Sequence, residues 1–117
     1  MHWIKNEHPV PFDWHGITIR DYASVAPTES ASVAHLRVAP GIAHALGRST
    51  LCDKYYVVLD GPVHFRVGGR DAALSEGDML FIEKGEWFEY ENRGARDVTM
   101  LLVHVPPFSA EAEELRL

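Results

Sequence analysis

The chain has 117 residues, of which 46% are hydrophobic, which is enough for one domain with a buried core. Seventeen acidic and eleven basic residues give a net charge of −6, which argues against nucleic acid and anionic membranes as partners. The single cysteine, Cys52, excludes an internal disulfide, and no apolar leader or bilayer-length run is present, so we expect a cytoplasmic protein.

The first third of the chain predicts an arm followed by two strands. Residues 1–14 form the arm, because two prolines interrupt any regular structure there. We expect Trp3 and Trp14 to cover an open end of the fold or a neighbouring subunit, since exposed tryptophans are costly in water. Residues 17–22 and 32–39 alternate between apolar and polar side chains, which predicts two half-buried strands.

The central part reads as a series of short strands joined by glycine turns. Residues 55–59 are β-branched and aromatic, and 63–67 alternate with period two. Gly68-Gly69 is a hairpin signal. A further apolar run covers 79–82, and aromatic residues dominate 87–90. This succession predicts consecutive antiparallel strands.

The C-terminal part predicts a strand and then a helix. Residues 98–105 are almost continuously apolar, which indicates a strand covered on both faces. Two prolines stop it, and Ser109 is a candidate N-cap for a short acidic helix over 109–117. Strands without intervening helices predict an all-β antiparallel jelly-roll barrel with a core over 32–105, within one domain spanning 1–117.

The spacing of the glycines resembles the cupin superfamily. Its two motifs can be written G-x5-H-x-H-x4-E-x6-G and G-x5-P-x-G-x2-H-x3-N. The frame positions of both motifs are occupied here without insertion, by Gly41, Gly61, Gly77, Gly85 and Asn92. The resemblance implies a small single-domain cupin, an antiparallel jelly-roll barrel that holds its ligand inside.

The metal-ligand positions of those motifs are all substituted. Gly47 and Ser49 stand where the family places two histidines, Lys54 replaces the glutamate, and Phe88 replaces the last histidine. A lysine ammonium has no lone pair and a phenyl ring offers none. The sequence therefore predicts a cupin without the family's metal centre and without any other cofactor.

The resemblance also implies which side chains face the barrel interior. Lys54 and Tyr56 would point inward with Cys52 near the mouth, and Phe88 would point inward beside Tyr90. Mostly apolar walls with a few polar groups are typical of small-molecule sites. The candidate ligand-binding residues are Arg48, Cys52, Lys54, Tyr56, Glu86, Phe88 and Tyr90.

Each candidate also has a purely structural interpretation. Lys54 would then only neutralise Glu83 or Glu86. The two tyrosines would be core residues with satisfied hydroxyls. Arg48 would point to solvent, and Cys52 would be a small buried apolar residue.

The histidines leave a second kind of site open. His35, His44 and His104 lie on separate predicted strands or strand entries and would form a metal site only if they converge. His104 is equally plausible as a general base beside Lys54.

Three functions follow from these observations. The first is metal-independent binding of a small, preferably anionic, organic molecule, anchored by Lys54. The second is metal-free acid–base catalysis by an isomerase, epimerase or lyase acting on a small carbohydrate or carbonyl compound, with Lys54, His104 and Tyr90 as catalytic candidates. The third is a metal-dependent oxygenase with displaced histidines. The aromatic arm and the sheet edges favour a homodimer.

Overall fold

The computed structural model describes residues 1–116, which form eleven β-strands and two short 3₁₀ turns. No helix in this range is long and apolar enough to cross a membrane. The 3₁₀ turns cover Tyr22–Ser24 and Ala110–Ala112. The strands are β1 Phe12–Trp14, β2 Ile17–Asp21, β3 Ser32–Val38, β4 Ala43–Ser49, β5 Asp53–Asp60, β6 Val63–Val67, β7 Arg70–Leu74, β8 Met79–Ile82, β9 Phe88–Glu91, β10 Val98–Val105 and β11 Glu113–Arg116.

The strands form two antiparallel sheets that pack face to face. A six-stranded sheet has the order β1-β2-β3-β10-β5-β8, and a five-stranded sheet has the order β11-β4-β9-β6-β7. The predicted all-β antiparallel class is confirmed, but the sheets do not close into one hydrogen-bonded barrel. Strands β1 and β2 precede the predicted core at residue 32 and belong to the larger sheet.

Period-two alternation places the core between the sheets. On β5, every second residue from Lys54 to Val58 is buried, as the family resemblance implies. Phe65 and Phe88 from the facing sheet and Met100 from the neighbouring strand β10 also point into this core and are almost completely buried. Each such side chain contributes about 1.5–3 kcal/mol to stability on burial.

Two hairpins turn at residues with positive φ, and the sequence predicted the first of them. Gly68 and Gly69 connect β6 and β7 with φ angles of 56° and 80°, which confirms the predicted turn. His15 and Gly16 connect β1 and β2 in the same way, with φ angles of 53° and 88°. This second turn pairs Trp14 with Ile17, and the Trp14 ring packs 5.2 Å from the His44 ring.

The predicted helix over 109–117 is wrong. Ala110–Ala112 form one 3₁₀ turn, and Glu113–Arg116 then form β11, which pairs with β4. Ser109 makes no side-chain capping bond. The strand is more stable than the helix because the edge of β4 offers a row of unpaired backbone groups. An isolated nine-residue helix has little stability of its own. Leu117, the last residue of that prediction, lies outside the described residues.

Candidate functional site

A cavity of about 440 Å³ lies between the two sheets. The N-terminal arm and the C-terminal segment contribute to its walls. Its walls are mostly apolar, and Phe12, Trp14, Leu36, Leu102, Phe108 and Leu115 contribute to them. The polar groups come from both sheets. They belong to Asp21, Ser32, His44, Lys54, Tyr56, Tyr90, His104 and Glu113.

Lys54, His104 and Glu113 form one polar cluster at the cavity wall. Lys54 on β5 lies directly opposite His104 on β10, and β11 brings Glu113 from the other sheet. The Lys54 Nζ donates to Glu113 Oε1 at 2.5 Å and to His104 Nε2 at 3.1 Å. Because an ammonium only donates, Nε2 of His104 accepts, and its proton lies on Nδ1.

The charges in this cluster are set by burial and by the close contacts. Burial lowers the pKa of His104, with the Lys54 ammonium acting in the same direction and the Glu113 carboxylate opposing it. Burial acts to raise the pKa of Glu113, but the His104 ring and the Lys54 ammonium outweigh it, so the pKa is lowered. At neutral pH the cluster is therefore an ammonium–carboxylate pair with a neutral imidazole.

His44 lies across the cavity in an aromatic enclosure. It pairs with Tyr90 of β9, just before an irregularity in the β4–β9 register between His44 and Gly47. Its ring centroid is 5.2 Å from that of Trp14, 5.0 Å from that of Phe88 and 5.1 Å from that of Tyr90. These neighbours hold the imidazole in one orientation.

The protonation state of His44 follows from its contacts. Nδ1 lies 2.6 Å from the carbonyl oxygen of Ala45, which only accepts, so Nδ1 carries the proton. Burial lowers the pKa of His44 to about 4, although the bond to Ala45 opposes the shift. Nε2 has no hydrogen-bond partner within residues 1–116 and is not sealed in the interior. At neutral pH it presents a free lone pair.

Two tyrosines complete the polar lining. Tyr56 and Tyr90 lie with their ring centroids 5.7 Å apart. Their hydroxyls have no hydrogen-bond partner in the described part of the chain, and neither is a sealed buried atom. Burial raises the pKa of Tyr56 well above its ordinary value and raises that of Tyr90 as well. Both hydroxyls therefore keep their protons and can donate to a ligand.

The residues at the family's metal positions do not fit a metal ion. The Lys54 ammonium is paired with Glu113, and Phe88 is packed in the core. Gly47 has no side chain, and the Ser49 hydroxyl accepts from the Cys52 amide. Over residues 1–116 no group of three histidine, cysteine or acidic side chains has metal-binding geometry.

The three histidines considered for a displaced metal site do not converge. His44 and His104 line the cavity, whereas His35 lies beside Arg20 and Arg37 on the outer face of the six-stranded sheet. No metal site built from all three is compatible with this arrangement.

The other candidate residues divide into two groups. Lys54, Tyr56, Tyr90 and His104 share the cavity. Arg48, Cys52, Glu86 and Phe88 do not line it.

Contacts outside the cavity hold Arg48 and Cys52 away from it. Arg48 pairs with Glu114 at 2.9 Å and lies over the Trp87 ring. The Cys52 thiol donates to the Pro106 carbonyl.

The expected partner of Lys54 was wrong. Glu86 accepts from the backbone amide of Glu83, and neither of these two acids reaches Lys54. The partner is Glu113, which the sequence pattern places in a helix. A period-two pattern over residues 113–116 is the one sequence signal for a strand in this segment. Four residues are too few to distinguish a strand from a helix.

Comparisons with known proteins agree with this architecture. Residues 35–104 match the family model described as Cupin domain. The tetracenomycin polyketide synthase protein TcmJ of Streptomyces glaucescens is 32% identical over 72 residues, which are 62% of this chain and 48% of TcmJ. This chain thus matches about half the length of that relative.

Solved structures extend the likeness to the whole fold. Streptomyces PAC13 bound to uridine superimposes with a TM-score of 0.86 at 20% identity, covering 100% of this chain and 92% of PAC13. That protein is described as a nucleoside dehydratase, and one histidine-to-glutamine and two tyrosine-to-phenylalanine variants were solved with uridine. KdgF from Halomonas sp. has a TM-score of 0.82 at 16% identity, covering 95% of this chain and 97% of KdgF.

Proposed function

This chain belongs to the cupin domain family, and within that family we propose that it is a metal-independent lyase that removes water from a small hydroxylated carbonyl compound of nucleoside size. The observation that carries the proposal is the free Nε2 lone pair of His44, held by the Ala45 carbonyl in a cavity that also contains two protonated tyrosines. A positioned neutral imidazole is the commonest general base in enzymes.

The groups in the cavity suit an elimination of water. His44 Nε2 takes a proton from a carbon next to a carbonyl group, and the carbonyl oxygen becomes an enolate oxygen that accepts from a tyrosine hydroxyl. The electron pair then forms the carbon–carbon double bond as the β-hydroxyl leaves. His44 returns its proton to that hydroxyl, so water is released and the imidazole is restored.

The size and lining of the cavity favour a ring-bearing substrate. Its volume of about 440 Å³ falls in the range of small-molecule sites, and Trp14 and Phe108 supply flat aromatic walls. The uridine-bound PAC13 structures have the same fold and support a nucleoside-like substrate. The polar Lys54–Glu113 pair offers hydrogen bonds to hydroxyl groups.

A panel of β-hydroxy aldehydes and ketones, with and without a nucleobase, tests this function. The conjugated product absorbs in the ultraviolet, so turnover can be followed directly. We expect His44→Gln to lower kcat about 10²–10⁴-fold while ligand binding is retained. His35→Gln, a matched change outside the cavity, should leave kcat unchanged. Turnover by His44→Gln at the normal rate would refute the assignment.

The second candidate is binding of an anionic molecule by Lys54 without chemistry. The buried position of Lys54 at the cavity supports it, but the Glu113 carboxylate already neutralises the ammonium. This function predicts that small organic acids raise the melting temperature, that Lys54→Met abolishes the shift, and that no compound in the panel is converted.

A further inference from the structure

A row of buried polar side chains crosses the cavity wall and takes no part in the proton transfers of the proposed reaction. Ser32 on β3 lies opposite His104 on β10, which lies opposite Lys54 on β5. All three line the cavity and are at most 5% exposed. We call these three residues the polar row. Buried polar groups nearly always have partners, so a free donor that reaches a cavity indicates a ligand contact.

Two hydrogen-bond donors of the polar row are free. His104 Nε2 accepts from Lys54, which fixes the proton on Nδ1, and this N–H has no acceptor within residues 1–116. Nδ1 is not a sealed buried atom, so it is accessible from the cavity. The Ser32 hydroxyl oxygen accepts from the Phe108 amide at 2.9 Å, and its own hydrogen donates to no group in the described part of the chain.

A carboxylate acceptor lies beside these donors. Asp21 on β2 pairs with Ala34, two residues from Ser32 on β3, and it also lines the cavity. Its Oδ1 accepts from the Ala23 amide, whereas Oδ2 accepts from no group that the structure describes. The negative charge of Asp21 acts to raise the pKa of His104, which is consistent with their lying near each other.

We propose that the polar row and Asp21 form a subsite for a cyclic lactam, the –CO–NH– edge of a pyrimidine-like ring. A lactam presents one acceptor and one donor side by side. Its carbonyl oxygen accepts from His104 Nδ1 and the Ser32 hydroxyl, and its N–H donates to Asp21 Oδ2. Asp21 determines the specificity, because a carboxylate accepts and cannot donate. The subsite rests on the proposed function, because it defines the ring of the nucleoside-sized substrate.

The charges around the subsite favour an uncharged ring over an anionic group. The Lys54 ammonium is already paired with Glu113, and burial keeps the His104 ring neutral. Among residues 1–116 no cation forms a salt bridge with Asp21. A ligand carboxylate or phosphate at this position would therefore face the Asp21 carboxylate, and like charges close together are unfavourable.

The distance from the polar row to the tyrosines agrees with a ring at this position. Tyr56 follows Lys54 by two residues on the same face of β5, which is about 6.6 Å along the strand. A lactam ring at the polar row thus leaves the hydroxylated carbonyl part of the same molecule beside Tyr56 and Tyr90. The Phe108 ring, 5.1 Å from that of His104, provides a flat wall on which the lactam ring stacks.

Calorimetric titration with uridine and two methylated forms of it tests the lactam assignment. Uridine has the ring N–H, 3-methyluridine has a methyl group on that nitrogen, and 5-methyluridine has a methyl group on a ring carbon. We expect uridine and 5-methyluridine to bind with similar affinity and 3-methyluridine to bind at least about tenfold more weakly. Equal binding of uridine and 3-methyluridine would overturn the proposal. Equal weakening by both methyl groups, or no measurable binding of uridine, would also overturn it.

Asp21→Asn tests the acceptor. Asparagine keeps an oxygen for the Ala23 amide and replaces the other oxygen with an NH₂ donor. The fold should be retained, and the preference for uridine over 3-methyluridine should fall below about threefold. Asp97→Asn, the same change at an exposed position before β10, should keep the wild-type ratio. An unchanged ratio in Asp21→Asn would overturn the role of this carboxylate.

Ser32→Ala provides a second test if Asp21→Asn folds poorly. It removes one donor to the lactam carbonyl, so we expect uridine to bind about fivefold more weakly while the ratio to 3-methyluridine is kept. Ser30→Ala, the same change at an exposed loop position, should bind uridine normally. Unchanged uridine binding by Ser32→Ala would overturn the role of the polar row.

The same measurements separate the subsite from the lyase function. Selective binding of uridine without turnover of any β-hydroxy aldehyde or ketone would refute the lyase and support the subsite. Equal kcat/KM for nucleoside substrates with and without the ring N–H would refute the subsite and support the lyase.

Discussion

Lys54 illustrates how one substitution changes what a buried position requires. The family pattern places a glutamate there, whereas this chain places an ammonium that is only 4% exposed. A buried ammonium without a counter-charge costs several kcal/mol. Glu113 supplies the charge from another sheet, 59 residues away in sequence. The cavity thereby keeps a polar centre with no net charge.

Lys54 and Glu113 should be strongly coupled in their effects on the free energy of unfolding. Removing either side chain alone should cost more than removing both. We expect Glu113→Leu to lower the free energy of unfolding by about 3–5 kcal/mol, because it strands the Lys54 ammonium. Lys54→Met should cost about 3 kcal/mol or less, since the Glu113 side chain it strands is 21% exposed. The double variant should recover most of the loss. Urea denaturation of all four proteins measures this, and strictly additive losses would contradict the coupling.

At the scale of elements, β11 depends on the absence of a side chain at position 47. A Cβ atom at Gly47 would lie 2.7 Å from Leu115 Cδ2 and 3.0 Å from the Glu114 carbonyl oxygen. The position that carries a metal-ligating histidine in the family pattern is thus free for the C-terminal strand. Gly47 allows β11 to pair with β4, and β11 carries Glu113 to the cavity.

Adding one methyl group should therefore displace β11. We expect Gly47→Ala to lower the free energy of unfolding by about 1–3 kcal/mol. Leu115→Ala in the same chain should recover part of this loss, because it removes the closest clash. Gly94→Ala is the matched control, since its Cβ would meet only Asn92 Oδ1 at 3.4 Å. A stable Gly47→Ala protein with unchanged amide protection in β11 would contradict this account.

For the whole molecule, the buried histidines predict loss of stability in acid. The folded-state pKa of His44 is about 4 against an ordinary 6.5, and that of His104 is also lowered. The unfolded chain therefore binds more protons below pH 6.5, and stability falls as the pH drops toward 4. His44 alone accounts for about 3 kcal/mol. Glu113 acts in the same direction below about 4.5, because its pKa is lowered too.

Urea denaturation between pH 7 and pH 4 measures this dependence. His44→Phe keeps an aromatic ring but removes the titrating group, so its stability should fall less steeply over the same range. The two curves should differ most between pH 6.5 and pH 4. An equally steep fall in His44→Phe would show that other groups control the acid transition.

The substituted ligand positions predict the metal content of the whole protein. We expect untagged protein, dialysed against a chelator, to contain far less than one equivalent of iron, zinc, nickel or manganese. The reason is that Lys54 and Phe88 offer no lone pair and Gly47 offers no side chain. Elemental analysis measures this. One equivalent of any of these metals after dialysis would contradict it.

The family, most strands and the loss of the metal ligands follow from the amino-acid sequence alone. The family resemblance implied that Lys54 points inward, and Tyr56 follows on the same side because successive side chains of a strand face opposite sides. The glycines with positive φ were equally informative at the β6–β7 hairpin, since other residues rarely adopt that conformation. These features are local, and a local pattern is sufficient to specify them.

Long-range packing of the two sheets sets which groups meet in the cavity. The C-terminal segment reads locally as a capped acidic helix, but long-range pairing with β4 makes it a strand and delivers Glu113 to Lys54. His44 likewise lies in an aromatic enclosure built by two other strands, with Trp14 from β1 and Phe88 and Tyr90 from β9. Both outcomes depend on contacts between residues far apart in the chain, whose energies exceed local propensity and leave no mark in the local pattern.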